Sequence, residues 1–391
     1  MRKTMLPFSP PCIGQEEIDE VVDTLRGDWI ARGPKTRRFE VDFARYLQAP
    51  EALALNSGTA ALQVALAAEK IGPGDEVITS TMTFCAAVHV IEQCGARPVL
   101  VDVEADTLNI DPAAVDRAIT PRTRAIIPTH LYGHPAEMDD LVALAEANGL
   151  AVLEDAAHAL PARYRGRMVG STGRATAFSF YATKNLTTGD GGMLVGAPDL
   201  IESARVWSAH GMTRDACSAF GREDAWSYDV VVPGFKCNMT DLQAAIGIQQ
   251  LHKLDRLHWR RREIAGHYQA ALAGLAQVQP PVERPHVESA WHLYPLRLDL
   301  THLAIDRGQF VAELRRRNIA ASVHFIPVHL LRYYREKYGY RPDDFPIAHR
   351  EFLRLVTLPL TPRLSNDDVG DVVEAVTDVV TRHERTSHAC A

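Results

Sequence analysis

The chain has 391 residues, 46% hydrophobic and 23% charged, with a formal net charge of -7. That length holds one large α/β domain and a smaller one. The acidic balance speaks against a nucleic-acid scaffold. No apolar run reaches the roughly 18 residues of a membrane span, and the start MRKTMLPFSPPC has no apolar core of the secretory type. The cysteines (Cys12, Cys85, Cys94, Cys217, Cys237, Cys390) are scattered with no C-x-x-C pair. They read as reduced, buried thiols, and the expected location is the cytoplasm.

The first half alternates helical and strand patterns. EEIDEVVDTLRGDW has helical spacing, and NSGTAALQVALAAEKIG starts on capping residues and ends at Gly72. EVITS is a short β-branched run. FCAAVHVIEQCG is helical and stopped by Gly95. PVLVDV, RAIIPTH and AVLEDA are strand-like, with the helix DDLVALAEANG before the last. This rhythm predicts a mostly parallel sheet covered on both faces, with ligands beyond the carboxyl ends of its strands. ATAFSFY and GMLVG add two more strands.

Past about residue 240 the texture changes. TDLQAAIGIQQLHKLDRLHWRRREIAGHYQAALAGL reads as one long helix or two in series. The proline-rich PPVERPH and the alternating AWHLYPLRLDL follow it. The helices RGQFVAELRRRN and SNDDVGDVVEAVTDVVTRH complete a smaller α+β unit, and the tail ERTSHACA reads as disordered. The expected domains are residues 1–250 and 251–391.

Three local features carry chemistry. Ser57, Gly58 and Thr59 in NSGTAAL stand at a helix start, where free N–H groups bind phosphate; a plain N-cap is the ordinary explanation. Asp155 ends the buried run AVLED, where it caps the next helix or keeps a heterocyclic nitrogen protonated; His158 lies about one turn on. Lys184, in FSFYATKNLTTGDGGM, sits between an aromatic strand and a glycine turn. Partial burial there would lower its pKa and free the amine as nucleophile and base; a surface lysine beside a loop is the ordinary explanation. Together these are the parts pyridoxal phosphate requires: a lysine for its aldehyde, an acid for its ring nitrogen and a helix start for its phosphate.

On the motifs SGTAAL, DEVITSTMTF, GARPVLVDVEADTLNID, HLYGHPAEM, VLEDAAHA, SFYATKNLTTGDGGM and MTDLQAAIG, in that order over nearly the whole chain, the sequence resembles the DegT/StrS-type sugar aminotransferases. That resemblance implies a fold-type I, pyridoxal-phosphate-dependent enzyme: a large α/β domain with a mostly parallel sheet and a small C-terminal α+β domain. It implies a homodimer with the cofactor site at the interface. Lys184 is matched to the cofactor-bearing lysine and proton shuttle, Asp155 to the partner of the ring nitrogen, and His158 to the donor on the ring's O3′. Phe84 is matched to the aromatic that stacks on the ring. Gly58 and Thr59 match the phosphate cradle beside Ser57, and Ser179 the serine that reaches the phosphate.

GFKCNM departs from the G-Y-N-Y-R-M of many members, so the cross-subunit phosphate contact falls to Lys236 or Asn238. This version looks like the branch making 4-amino-4-deoxy-arabinose on a uridine nucleotide. The implied reaction transfers an amino group, with L-glutamate as donor, to a 4-keto pentose or 6-deoxyhexose on UDP or dTDP. Alternatives are a 3-keto sugar, an amino-cyclitol precursor, or a non-catalytic pyridoxal-phosphate-binding regulator. A related subgroup dehydrates keto sugars with histidine in place of the lysine; the presence of Lys184 favours transamination. His329 and Trp29 are candidate substrate contacts, each with an equally ordinary packing role. His130 and His134 stand four apart, but Gly133 and Pro135 argue against a helical metal pair, and no metal is expected. No G-x-G-x-x-G or Walker lysine loop is present.

Overall fold

The computed structural model describes residues 2–213 and 227–385. Cys217, Cys390 and the last six residues of the tail lie outside them. The strands in chain order are β1 (Glu51–Leu55), β2 (Glu76–Ser80), β3 (Arg97–Val101), β4 (Thr123–Ile127), β5 (Ala151–Asp155), β6 (Arg163–Tyr164), β7 (Arg167–Met168), β8 (Ala175–Ser179), β9 (Gly192–Gly196), β10 (Val278–Gln279), β11 (Val287–Glu288), β12 (Tyr294–Leu298) and β13 (Leu355–Leu358).

Seven of these form the main sheet, in the order β1-β9-β8-β5-β4-β2-β3. From β8 to β3 every pairing is parallel. Only β9 runs against both its neighbours. The expected mostly parallel sheet is present, and its strands are buried on both faces. Alternate residues therefore feed different cores. Leu53 and Leu55 of β1 face one apolar cluster and Ala52 and Ala54 another; Ala125 and Ile127 of β4 join the first, while Ile126 joins a third.

Helices cover both faces. Gly58–Ala68 and Ala86–Gln93 pack on the first cluster, and Pro34–Leu47 on the second through Phe39, Phe43 and Leu47. The helix Pro34–Leu47 was not singled out by its sequence pattern. Gly58–Ala68 stops short of Gly72, ending where Lys70 turns left-handed (φ +58°).

The stretch after residue 240 is two helices. A Thr240–Gln243 capping box opens Asp241–His252, and Leu254–Leu272 follows at once. A smaller antiparallel sheet, β10-β12-β13, packs with Leu254–Leu272, Arg307–Arg316 and Asn366–Arg382 around Tyr268, Tyr294, Phe310 and Val376. Leu6, from the chain start, packs into this core too. β12 alternates in sequence, yet all five residues are buried. Its polar Arg297 is accommodated by the Ala105 carbonyl at 2.6 Å and the Glu351 carboxylate at 3.7 Å. The start of the tail is also tied down: Glu384 bridges to Leu303, and the Arg385 N–H donates to the His302 carbonyl.

Candidate active site

Asp155 is the last residue of β5, and its strand neighbour β8 leads into the Lys184 loop. The loop is fixed from within. Lys184 N donates to the Tyr181 carbonyl, Thr188 N to Phe180, and Phe180 N to Gly191. The next residue, Asn185, is buried and spans two other segments, donating to the carbonyls of Leu160 (2.9 Å) and Ala290 (2.7 Å). The amine of Lys184 itself donates to no residue among those described. Burial pushes its pKa down to about 8, against a small upward pull from Asp155. The residue as a whole is half-buried.

Asp155 is buried, and burial raises its pKa. The Ala157 N–H on Oδ1 (3.1 Å) and the Lys184 amine pull the other way. Among the described residues, Oδ2 has only a long contact, 3.4 Å, from the Thr129 hydroxyl. One acceptor position on this carboxylate is thus left for a cationic donor.

His158 lies beside it, also buried. Its Nδ1 accepts the Tyr132 N–H at 3.2 Å, which requires the tautomer with hydrogen on Nε2. Burial and the nearby Lys184 hold it well below the usual histidine range, so it is a neutral donor. Its ring lies 4.5 Å from that of His292 and 5.7 Å from Phe325. Phe325 in turn sits 5.6 Å from Phe84, which leaves 55% of its own surface open. A planar ring could lie against Phe84 without disturbing the core.

The turn Ser57–Thr59 is built by close approach. Ser57 caps Gly58–Ala68 by accepting the Ala60 N–H at 3.0 Å. The N–H groups of Gly58 and Thr59 have no intrachain acceptor among the described residues, and they point out of a helix N-terminus. A Cβ on Gly58 would stand 2.8 Å from the Cβ of Ser179, which places Ser179 beside the turn. A Cβ on Gly192 would stand 2.4 Å from the Ser57 carbonyl carbon. The glycines after Lys184 therefore let the lysine loop and the helix start share one small space.

The remaining predicted residues are placed differently. Asn238 pairs with Leu55, and the Cys237 carbonyl accepts the Asn56 N–H, so Asn238 flanks the Ser57–Thr59 turn of its own chain. Lys236 is exposed and pairs by backbone with Ala209. Trp29 is half-buried over Gly33, on a loop anchored by Asp241, whose carboxylate accepts N–H groups from Gly33, Lys35 and Thr36. His329 is fully buried; its Nδ1 bonds Thr81 at 2.7 Å and its ring packs 4.7 Å from Phe345. It supports the segment over the end of β2 and presents no open surface. His130 and His134 are each engaged by protein groups, Glu154 and Ala136 for the first, Pro135 and Arg284 for the second.

Several neighbours were missed. His324 is half-buried and close enough to Lys184 for that charge, together with burial, to hold it at about 4. Tyr132 donates its hydroxyl to the His324 carbonyl. Thr83 and Thr129 stand just past the ends of β2 and β4, where the sheet-end rule could have flagged them.

A half-buried lysine, a buried carboxylate with an open oxygen, a neutral histidine donor and a glycine cradle at a helix start fit pyridoxal phosphate. The comparisons agree. Residues 11–377 match the DegT/DnrJ/EryC1/StrS aminotransferase family, and the chain belongs to it. It is 48% identical to the spore coat polysaccharide biosynthesis protein SpsC of Bacillus subtilis, over 97% of this chain and 98% of that protein. Among solved structures it is similar to the putative sugar aminotransferase Spr1654 of Streptococcus pneumoniae in its PMP form. The TM-score is 0.91 and the identity 37%, over 96% of this chain and 99% of the other. It is likewise similar to DesV of S. venezuelae, with TM-score 0.86 and 36% identity over 94% of each chain. The protein is a pyridoxal-phosphate-dependent aminotransferase.

Proposed function

We propose that this enzyme converts a nucleotide-linked 4-keto sugar, a pentose or a 6-deoxyhexose, to the corresponding 4-amino sugar, with L-glutamate as amino donor. The observation that carries the reading is the convergence of Lys184, Asp155, His158 and the Ser57–Thr59 turn at the carboxyl end of one sheet. The sugar class is supported by the relatives, whose names place them in polysaccharide biosynthesis or sugar transamination.

When bound, pyridoxal phosphate supplies an electrophilic carbon and an electron sink through which an amino group passes between donor and acceptor. The chain's residues do the rest. The Gly58 and Thr59 N–H groups and the Ser179 hydroxyl hold the phosphate. Asp155 keeps a proton on the ring nitrogen, and His158 Nε2–H donates to the ring oxygen. Phe84 covers one face of the ring. At pH 7 a pKa of about 8 leaves roughly a tenth of Lys184 as free amine. That amine is the group that would hold the cofactor, and, once free, it would move a proton at the reacting carbon. Asn238 or Lys236 contributes to phosphate binding, and Trp29 borders the way in for substrate.

A cytoplasmic homodimer completes the reading. The homodimer is supported by the row of exposed Ile18, Val22 and Leu25 along one face of the helix Gln15–Arg26. Incubating the enzyme with L-glutamate and a panel of UDP- and dTDP-linked 3-keto and 4-keto sugars, with mass spectrometry of the products, tests the substrate. An amino sugar formed from a 4-keto compound is expected; conversion of 3-keto compounds alone would sink the reading.

A further inference from the structure

Thr83 and Thr129 are buried polar residues that the chemistry above does not use. They stand just past the ends of β2 and β4. Their hydroxyls are 2.8 Å apart, and the Thr129 hydroxyl is 3.4 Å from Asp155 Oδ2. We propose that this hydroxyl pair is a positioning device that fixes the rotation of the Asp155 carboxylate towards the cofactor's ring nitrogen.

The direction of the chain of hydrogen bonds follows from its end. A carboxylate oxygen accepts, so Thr129 donates to Asp155. The Thr129 oxygen is then free to accept from Thr83. The order is Thr83 to Thr129 to Asp155. On Oδ1 the Ala157 N–H fixes one edge of the carboxylate. Alone it would act as a hinge. The Thr129 hydroxyl fixes the second edge, and its length leaves Oδ2 with capacity for a stronger, charged donor. Thr83 directly precedes Phe84, so the acid and the stacking ring are set by one chain of contacts.

The segment that carries Thr129 is clamped on both sides of β5. Thr129 bridges Asp155, Asp155 N donates to the Pro128 carbonyl, and His130 N donates to the Asp155 carbonyl. On the opposite face of the strand, Glu154 accepts from His130 Nε2 at 3.0 Å, while His130 Nδ1 accepts the Ala136 N–H at 3.1 Å. The ring is thus held at both nitrogens, and Thr129 has little freedom to move. Mutual satisfaction of two buried hydroxyls would explain the 2.8 Å contact but not the approach to Asp155.

Valine replaces each threonine without changing volume. Thr129→Val, Thr83→Val and the double variant would be compared for apo-protein melting temperature, the dissociation constant for pyridoxal phosphate, and the visible circular dichroism of the bound cofactor. The inference rests on cofactor binding and not on which sugar is used. Expected for Thr129→Val is a dissociation constant raised about tenfold and an altered dichroic band. Thr83→Val should move both in the same direction but less. The double variant should be no worse than Thr129→Val, and Thr129→Ser should restore both readouts. A Thr129→Val protein with wild-type affinity and dichroism would overturn the inference, as would independent, additive effects of the two substitutions. Should Thr129→Val fail to fold, Thr83→Val decides alone: unchanged affinity and dichroism overturn the proposal, and weakened affinity with an altered band supports it.

Discussion

Lys184 and Asp155 act on each other from loops and strand ends that the sheet brings together, and each opposes what burial does to the other. Burial lowers the lysine and the carboxylate raises it; burial raises the carboxylate and the lysine lowers it. The parallel pairing of β5 with β8 sets this relationship, because it delivers both residues at the same edge of the sheet.

The lysine's position predicts a pH dependence. Burial disfavours its charged form, so the free amine gains as pH rises and saturates above about 8. The rate of cofactor loading should rise about tenfold per pH unit below 8 and level off above it. Stopped-flow measurement of the visible band from pH 6 to 10 checks this. A rate still climbing at pH 10 would describe an ordinary solvated lysine.

Asp155→Asn keeps the shape but cannot stabilise a protonated ring nitrogen. The variant should still bind pyridoxal phosphate through Lys184 and the phosphate turn, while its half-reaction with an amino donor slows by roughly 100- to 1000-fold. Single-turnover kinetics decide the matter; a loss of threefold or less would mean that Asp155 only holds the turn at Ala157.

Gly192→Ala pushes a Cβ against the Ser57 backbone, 2.4 Å from its carbonyl carbon. The turn must move, since backbone cannot swing aside as a side chain can. A loss of about 1–3 kcal/mol in stability and weaker pyridoxal phosphate binding are expected from melting and titration. Wild-type values in both would show that the turn tolerates displacement.

Asn185→Ala removes the donor shared by the Leu160 and Ala290 carbonyls. Each carbonyl left unsatisfied costs about 1–3 kcal/mol, and the lysine loop loses its tie to two segments. Denaturant unfolding should show the loss, together with weaker cofactor retention. If stability is unchanged, the loop is held by its other contacts.

The parallel sheet and the chemistry at its edge were legible because both leave local patterns. Buried strands are short apolar runs, and Ser57, Asp155 and Lys184 follow strand or helix boundaries that those patterns mark. What escaped was set by contacts far apart in the chain. His329 carries a suggestive motif, yet its burial depends on Thr81 and Phe345. The tautomer of His158 depends on the backbone of Tyr132. Thr83 and Thr129 look like ordinary strand-end residues until β2 and β4 pair. The helix Pro34–Leu47 was missed because its apolar positions are spaced among six charged residues.

The central claim is that Lys184 carries the cofactor and passes amino groups through it. Its most direct test is an absorbance scan of the protein with pyridoxal phosphate, before and after L-glutamate, beside a Lys184→Ala control. A visible band that forms and then bleaches with glutamate in the wild type only is the predicted result. A lysine-dependent band that no amino donor bleaches would contradict transamination, and the absence of any lysine-dependent band would contradict the site itself.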